Sequence, residues 1–473
     1  MHISGFKTWL AAVAAALCVG QVGAQALPAN LAAAWQQTGL PENAMSLVVQ
    51  EVGGPRLAAV NAGVARNPAS VMKLVTTWAA LSELGPTYVW QTELVSEPGA
   101  AVSNGVLSGP LYVRASGDPQ LMVQDLWTLL RDLRLRGVRQ LGDVVVDRSL
   151  FGNVATDPGA FDNAPDRAYN ASPDAFMVGF GAERLMFMAD APARAWRVVM
   201  DPALPNVKLE GRLAWSDAPC QGSPEVNTLP VATPQGTTLR LSGTMPGACG
   251  DFSLYRLALT QPGHAAGVFR QIWQELGGTM TGQLRDGLAP VDGEVLASHD
   301  SPELGETLRT INKRSNNVMA RTLLLTLGAE RGRRPATVAS SDDVARRVLA
   351  GQGLLMPELV LDNGAGLARE ARVSADSLAA LLRTAWSSPY MPEYVASLAI
   401  IGEDGTVRKR LRDGAAAGRA HLKTGSLRDV RAIAGYVTGV SGKRYIVVCI
   451  VNHEQAAAVR SFDDALVDWL ARR

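Results

Sequence analysis

The sequence predicts an α/β (α+β) fold in which both chain ends build one antiparallel sheet flanked by helices, with a large β-rich insertion between them. Near the N-terminus, β-like runs at 46–52 and 56–60 flank a Gly-Gly-Pro turn and precede an amphipathic helix. Near the C-terminus, runs at 431–438 and 443–452 flank a second turn and precede another amphipathic stretch. Between them, short strand-like runs alternate with segments rich in Gly, Pro, Asn and Asp.

Composition places the chain among ordinary globular proteins. Its 473 residues are 47% hydrophobic and 19% charged, enough to bury a large core in two or three domains. The formal net charge is +1 and no long run of like charge occurs, so nothing indicates nucleic acid or an anionic membrane surface as a partner. This balance favours a small or uncharged partner.

The first 24 residues have the pattern of a secretory signal peptide. His2 and Lys7 precede an apolar run from Trp9 to Val19, and Val22-Gly23-Ala24 offers the small residues that signal peptidase requires. The run is too short to span a bilayer as a mature helix. We expect cleavage after Ala24 and a periplasmic mature protein.

Three cysteines remain after this cleavage. Cys220 and Cys249 bracket a segment rich in Pro, Gly, Ser and Thr, and an oxidising compartment favours a disulfide over two free thiols. Such a bond would contribute about 3 to 4 kcal/mol. Cys449 lies in a β-branched run, which predicts a packed thiol in a buried strand.

The helix after the N-terminal hairpin carries Ser70 and Lys73. Asn67 can cap it, Pro68 suits its first turn, and Gly85-Pro86 ends it. Residues three apart share a helix face, so a serine nucleophile can touch a lysine base if burial gives access to the neutral amine. Taken alone, this spacing also fits two solvated polar residues that occur together by chance.

The remaining elements follow from periodicity and turn residues. We predict strands at 111–114 and 144–147 and helices at 123–136, 301–327, 342–351, 374–386 and 457–470.

Two later motifs add to the serine and lysine pair. Ser315-Asn316-Asn317 follows a predicted helix, and Lys423-Thr424-Gly425-Ser426 lies where a strand would begin. The order Ser-x-x-Lys, Ser-x-Asn, Lys-Thr-Gly is far more specific than any one motif. Together the three motifs predict an acyl-transfer site.

Acyl transfer assigns a role to each residue type. Ser70 attacks and Lys73 accepts its proton, while Ser315 relays that proton to the leaving amine. Three groups of residues are expected to contact the substrate. The Asn317 amide can form hydrogen bonds with the peptide, and Gly425 permits its close approach. The groups suited to binding a carboxylate belong to Lys423, Thr424 and Ser426. Backbone N–H groups of Ser70 and Ser426 are the candidate oxyanion donors.

These motifs resemble those of the DacB-like penicillin-binding proteins of peptidase family S13. Further segments resemble that family: Gly117-Asp118-Pro119, Asp362 to Leu367, Gly402 to Thr406 and Ala434 to Val437. The resemblance covers nearly all of the mature chain. It implies a β-lactamase/transpeptidase-like domain formed by 25–86 and 291–473, with 87–290 inserted as one or two smaller β-rich domains.

The resemblance also implies a function. It is that of a serine-type D-Ala-D-Ala carboxypeptidase and DD-endopeptidase that cleaves peptidoglycan stem peptides through acyl-Ser70 and is inhibited by β-lactams. We expect no cofactor or metal and at most peripheral contact with a membrane. The sequence does not decide between a monomer and a homodimer. Ala365 and Ser426 stand where the family often has Ser or Thr, but neither change removes a proposed catalytic group. The alternatives are a β-lactamase or esterase with the same residues, and a catalytically silent peptidoglycan-binding protein.

Overall fold

The structure, a computed structural model, describes residues 26–222, 224–234 and 236–473. The expected signal peptide at 1–24 lies outside the described residues. The N-terminal elements are α1 (Ala29–Gln36), β1 (Met45–Glu51), β2 (Arg56–Val60) and α2 (Lys73–Leu84). A 3-10 turn at Ala69–Met72 leads into α2, so Ser70 lies in the turn and Lys73 begins the α-helix. The predicted hairpin and helix are thereby confirmed.

The middle of the chain contains most of the short strands. These are β3 (Gln91–Ser96), β4 (Val102–Ser103), β5 (Val106–Leu107), β6 (Leu111–Arg114), β7 (Gln140–Leu141), β8 (Val144–Asp147), β9 (Glu183–Asp190), β10 (Ala195–Asp201), β11 (Val207–Gly211), β12 (Ala214–Ser216), β13 (Asn227–Thr233), β14 (Gly236–Ser242), β15 (Thr244–Pro246), β16 (Phe252–Arg256), β17 (Thr279–Met280), β18 (Leu284–Asp286) and β19 (Glu294–Asp300). Its helices are α3 (Val123–Leu135) and α4 (Gln261–Glu275).

The middle strands form several small sheets. The largest has five strands in the order β18-β8-β6-β3-β19, and a four-stranded sheet runs β17-β7-β5-β4. Cys220 and Cys249 form the expected disulfide. The prediction missed α4, because its first residues, Gln261-Pro262-Gly263, have the composition of a turn; the Thr260 side chain caps the helix by accepting a bond from Gly263 N.

The C-terminal part returns to long helices and strands. They are α5 (Leu304–Arg314), α6 (Asn317–Arg331), α7 (Val338–Gly351), α8 (Ala375–Trp386), α9 (Met391–Ala396), β20 (Ala399–Ile400), β21 (Ala420–Leu427), β22 (Val430–Thr438), β23 (Arg444–Asn452) and α10 (Arg460–Ala471). The helical region predicted between 301 and 327 is divided in the structure into α5 and α6. Ser315 has φ 58°, in the left-handed region, which ends α5, and the Asn316 side chain caps α6.

Both chain ends contribute to a six-stranded antiparallel sheet in the order β2-β1-β23-β22-β21-β20. Along β23, Val448 and Ile450 pack with α2 and α6, whereas Val447 and Cys449 pack with α1 and α10. The sheet therefore lies between two helical layers, as predicted. Cys449 is buried within its strand, also as predicted.

One edge of the sheet borders the Ser70 turn. β20 pairs with β21 only through Leu422 and His421. From Lys423 onward, β21 pairs with β22 on one side and has no partner strand on the other among the described residues. A Cβ added at Gly425 would lie 2.4 Å from the Pro68 carbonyl oxygen. β21, which begins at Ala420 and not at the predicted Lys423, is thus pressed against the turn that holds Ser70.

No helix within residues 26–222, 224–234 and 236–473 has the length and apolar character needed to cross a membrane.

Candidate active site

The turn before α2 holds Ser70 in a fixed position. Ala69 has φ 46°, a conformation that residues other than glycine rarely adopt. The Asn67 side chain supports it, because Asn67 Oδ1 accepts a 2.9 Å bond from Ala69 N and Asn67 Nδ2 donates 2.8 Å to Ala368 O. Ser70 is thereby held just before the N-terminal end of α2, where it faces the edge of β21.

Lys73 is fully buried beneath Ser70. Its Nζ lies 3.0 Å from Ser70 Oγ and donates 2.7 Å bonds to Asn317 Oδ1 and Ala365 O. Burial lowers the pKa of Lys73 well below its usual range, and the nearby positive charges of Lys423 and Arg321 lower it further. The neutral amine is therefore accessible, and its two N–H groups can serve the carbonyl oxygens while its lone pair faces Ser70.

Asn317 opens α6 and uses both ends of its amide inside the protein. Its Oδ1 accepts from Lys73, and its Nδ2 donates 3.1 Å to Tyr169 O in the inserted region. The sequence interpretation assigned both groups to substrate. In the structure they connect Lys73 to the inserted region.

Lys423 and Ser315 form the second polar pair. Lys423 is fully buried, and its Nζ donates 2.9 Å to Ser315 Oγ and 2.8 Å to Thr424 O. Desolvation lowers the pKa of Lys423 to about 7. The Thr424 hydroxyl is bonded in turn to the hydroxyl of Thr406, at 2.8 Å.

A cavity of about 450 Å³ opens between the Ser70 turn and β21. Five of the eight predicted site residues line it: Ser70, Ser315, Thr424, Gly425 and Ser426. The other three, Lys73, Asn317 and Lys423, are buried directly behind and bond to Ser70 and Ser315 or to each other. The structure therefore brings all three motifs to one cleft.

A larger cavity, of about 970 Å³, lies at the opposite end of α2 and is lined by none of these residues. Its residues include Trp78, Glu83 and Arg331, with no nucleophile beside a buried base. The smaller cavity is accordingly the candidate active site.

The family described as "D-Ala-D-Ala carboxypeptidase 3 (S13) family" matches residues 27–473. The chain belongs to this family. Among curated members, the D-alanyl-D-alanine carboxypeptidase of Actinomadura sp. is 31% identical over 443 residues, which span 90% of this chain and 80% of the relative. The carboxypeptidase DacB of Haemophilus influenzae is 26% identical over 398 residues, 81% of this chain and 80% of the relative.

Solved structures confirm the fold of this family member. The crystal structure of penicillin binding protein 4 (dacB) from Haemophilus influenzae matches with a TM-score of 0.78 at 24% identity, covering 94% of this chain and all of the other. A predatory endopeptidase of Bdellovibrio bacteriovorus, Bd0816, matches with a TM-score of 0.54 at 15% identity, covering 90% of this chain and 93% of the other. The predicted fold class, with its β-lactamase/transpeptidase-like sheet, is therefore confirmed.

Sequence reasoning gave no role to two groups that complete the site. Ala365 and Tyr169 participate through main-chain carbonyl oxygens, which any residue carries. In the segment from Asp362 to Leu367, the resemblance to the family is the sequence signal that is present. A buried lysine needs hydrogen-bond acceptors, and this requirement is the signal that could have indicated further partners for Lys73.

Proposed function

We propose that this family member is a serine-type D-Ala-D-Ala carboxypeptidase that also cleaves peptide cross-links, acting on peptidoglycan stem peptides through an acyl-Ser70 intermediate. Family membership supports the carboxypeptidase activity. One observation carries the mechanism: Lys73 is buried, its pKa is lowered, and two carbonyl acceptors orient it toward Ser70 Oγ. A serine activated by a neutral lysine suits attack on an amide carbonyl.

In the first step, the lone pair of Lys73 takes the hydroxyl proton as Ser70 Oγ bonds to the carbonyl carbon. The new ammonium keeps its bonds to Asn317 Oδ1 and Ala365 O, so its charge forms among acceptors already in position. The backbone N–H groups of Ser70 and Ser426 are the proposed donors to the oxyanion. The close contact of Gly425 with the Ser70 turn supports this, because it holds the two segments together.

When the tetrahedral intermediate collapses, the bond to the leaving nitrogen breaks and that nitrogen needs a proton. Ser315 lines the cavity and can relay to this nitrogen the proton that Lys73 took from Ser70, which leaves Lys73 neutral again. The acyl group stays on Ser70 until water attacks it; Lys73 accepts a proton from the water and returns it to Ser70 Oγ as the bond between Oγ and the acyl carbon breaks. The net reaction consumes one water and releases an amine and a carboxylate.

The carboxylate of the leaving residue has a proposed site on β21. Thr424 and Ser426 line the cavity and offer hydroxyls, while Lys423 stays behind Ser315 and contributes positive charge. The partly unpaired edge of β21 can also accept an extended peptide as an added strand. We assign Asn317 to positioning Lys73, because its amide is already bonded at both ends.

The proposed organisation places a catalytic domain at 25–86 and from about residue 301 to 473, with the residues between inserted as subdomains. The boundary expected at 290 moves because β19 (Glu294–Asp300) pairs with β3 in the five-stranded sheet of the insertion. This organisation is supported by the sheet built from both chain ends and by the Tyr169 contact, through which the insertion reaches the site. We also propose the periplasm as the compartment, which agrees with the disulfide.

The test uses labelled penicillin, a stem pentapeptide and a purified cross-linked muropeptide. Wild-type protein should form a stable penicillin adduct, release D-Ala from the pentapeptide and split the cross-link, whereas Ser70→Ala should do none of these. Rapid β-lactam turnover without a stable adduct would identify a β-lactamase instead. Peptidoglycan binding without adduct or D-Ala release would identify a silent binding protein.

A further inference from the structure

A second groove adjoins the catalytic cavity. It has a volume of about 650 Å³ and lies between the end of α5 and residues 403–408. Thr406 lines both the groove and the cavity, and its hydroxyl bonds Thr424 at 2.8 Å. The two spaces therefore meet at the proposed carboxylate site.

The groove carries an excess of positive charge. Four cations line it, Arg309, Lys313, Arg314 and Arg408, against the carboxylates of Glu403 and Asp404. Lys313 and Asp404 pair with each other at 2.6 Å. The three arginines are exposed, and none of them forms a salt bridge with any residue in the described part of the chain. Because the whole chain has a net charge of only +1, this excess is local.

We infer that this basic groove binds carboxylates of the second peptide strand in a cross-linked substrate. The inference rests on the proposed function, which places the leaving residue's carboxylate at Thr424. A leaving D-Ala ends at that carboxylate, so it does not extend past Thr406. A cross-linked leaving residue continues into its own peptide, which bears further carboxylates, and the groove that adjoins the cavity at Thr406 offers that peptide a basic surface.

Arginine suits this task because its planar fork binds carboxylates through two parallel bonds. Arg314 and Lys313 lie in the last turn of α5, where positive charge stabilises the carbonyl end of a helix. This effect is a structural reason for their presence. It does not explain Arg408, which lies outside the helix and faces the same groove. The groove thereby favours the endopeptidase substrate over the carboxypeptidase substrate.

The test is the double variant Arg309→Gln/Arg408→Gln, which leaves Arg314 beside Ser315 intact. We expect its kcat/KM for a cross-linked muropeptide dimer to fall about tenfold, mainly through KM, with kcat/KM for the monomeric pentapeptide within about twofold of wild type. Added NaCl should weaken the wild-type preference for the dimer. Arg240→Gln, an exposed arginine on β14, is the matched control and should change neither substrate.

Equal losses on both substrates, or no loss on either, would overturn the inference while leaving the proposed function intact. Cleavage of the pentapeptide but not of the dimer by wild-type protein would also overturn it. Binding provides an independent readout in a Ser70→Ala background, where the dimer should bind about tenfold more weakly after the two arginine changes. If wild-type protein cleaves neither peptide, the proposed function fails. If the two arginine changes leave dimer binding unchanged in the Ser70→Ala background, the inference that the groove binds the dimer fails as well.

Discussion

Lys73 Nζ lies 3.0 Å from Ser70 Oγ, within one turn of the same helical segment. Its other two bonds, each 2.7 Å, come from Asn317 at the start of α6 and from the main chain at Ala365. A tetrahedral amine has three positions besides its own carbon, and all three are occupied. The orientation of the base is therefore fixed by segments that are far apart in sequence.

Lys73→Met should abolish acylation of Ser70, with a loss of at least about 1,000-fold in the rate of adduct formation with labelled penicillin. Methionine fills similar space but cannot accept the serine proton. Removing the buried amine removes its desolvation cost but leaves Asn317 Oδ1 and Ala365 O without their donor, so the thermal transition should stay cooperative with a modestly lower Tm. Lys208→Met, at an exposed lysine on β11, is the control; collapse of the fold in Lys73→Met alone would instead make Lys73 structural.

Asn317→Asp should move the acid limb of the acylation profile to higher pH. A carboxylate 2.7 Å from Nζ favours the ammonium form, so it raises the pKa of Lys73 and protonates the base near neutrality. We expect acylation to be lost at pH 7 and partly recovered at alkaline pH, measured as adduct formation across a pH series. Asn317→Ala, which adds no charge, should not recover at high pH; matching profiles for the two variants would contradict this assignment.

Deprotonation of Lys423 should produce an alkaline limb in the pH profile of kcat/KM for substrates that carry a terminal carboxylate. Its pKa of about 7 means that the positive charge is present below that pH and is lost above it. The kcat/KM for stem pentapeptide should therefore fall as the pH rises through about 7, and kcat should fall less because a bound carboxylate raises the pKa of Lys423.

Lys423→Arg provides the check, because arginine keeps its charge throughout this range. Its kcat/KM profile should lose the alkaline limb even if its maximum is lower. A depsipeptide ester without the terminal carboxylate should show no such limb with wild-type enzyme. A limb that persists unchanged in Lys423→Arg would assign it to another group.

The sheet and the motif residues were predictable because they follow local rules. Alternation and β-branched runs specified the strands on either side of Gly439 to Gly442, and helical periodicity put Ser70 and Lys73 on one face. The convergence of Ser315 and Lys423 on that face came from the order of motifs, which carries family information that no single segment contains.

What the sequence missed depends on tertiary contacts. Serine has little preference for the left-handed conformation that ends α5 at Ser315, so its bond to Lys423 helps to explain the break. The main-chain acceptors at Ala365 and Tyr169 have no side-chain signature at all. Gly425 was interpreted as room for substrate, whereas the structure also requires it for packing against Pro68.

Gly425→Ala should separate β21 from the Ser70 turn. The new Cβ would lie 2.4 Å from Pro68 O, a main-chain atom that cannot rotate away. We expect a loss of roughly 1–3 kcal/mol in stability and a larger proportional loss of penicillin acylation, since the oxyanion donors move apart. Gly442→Ala, where nothing lies near the added Cβ but φ is 82°, is a control for backbone strain alone and should leave acylation per folded molecule unchanged.

Asp463 should make the folded protein less stable as the pH rises toward neutrality. It lies in α10, nearly buried, beside Cys449, and burial raises its pKa from 3.8 to about 7. Between these values the folded protein holds a proton that the unfolded chain has released. The stabilisation is therefore full below about pH 4 and is lost as the pH rises to about 7.

Asp463→Asn stays neutral at every pH, so its Tm at pH 8 should exceed that of wild type. Each kcal/mol recovered corresponds to about 2–4 °C for a domain of 150–250 residues. Thermal unfolding at pH 4, 6 and 8 measures the effect, and the advantage of the variant should grow across the series. Asp468→Asn, on the same helix but paired with Arg472 at the surface, should show no such growth. Parallel Tm curves for wild type and Asp463→Asn would mean that Asp463 is already ionised in the folded protein at low pH, with Arg410 compensating its charge.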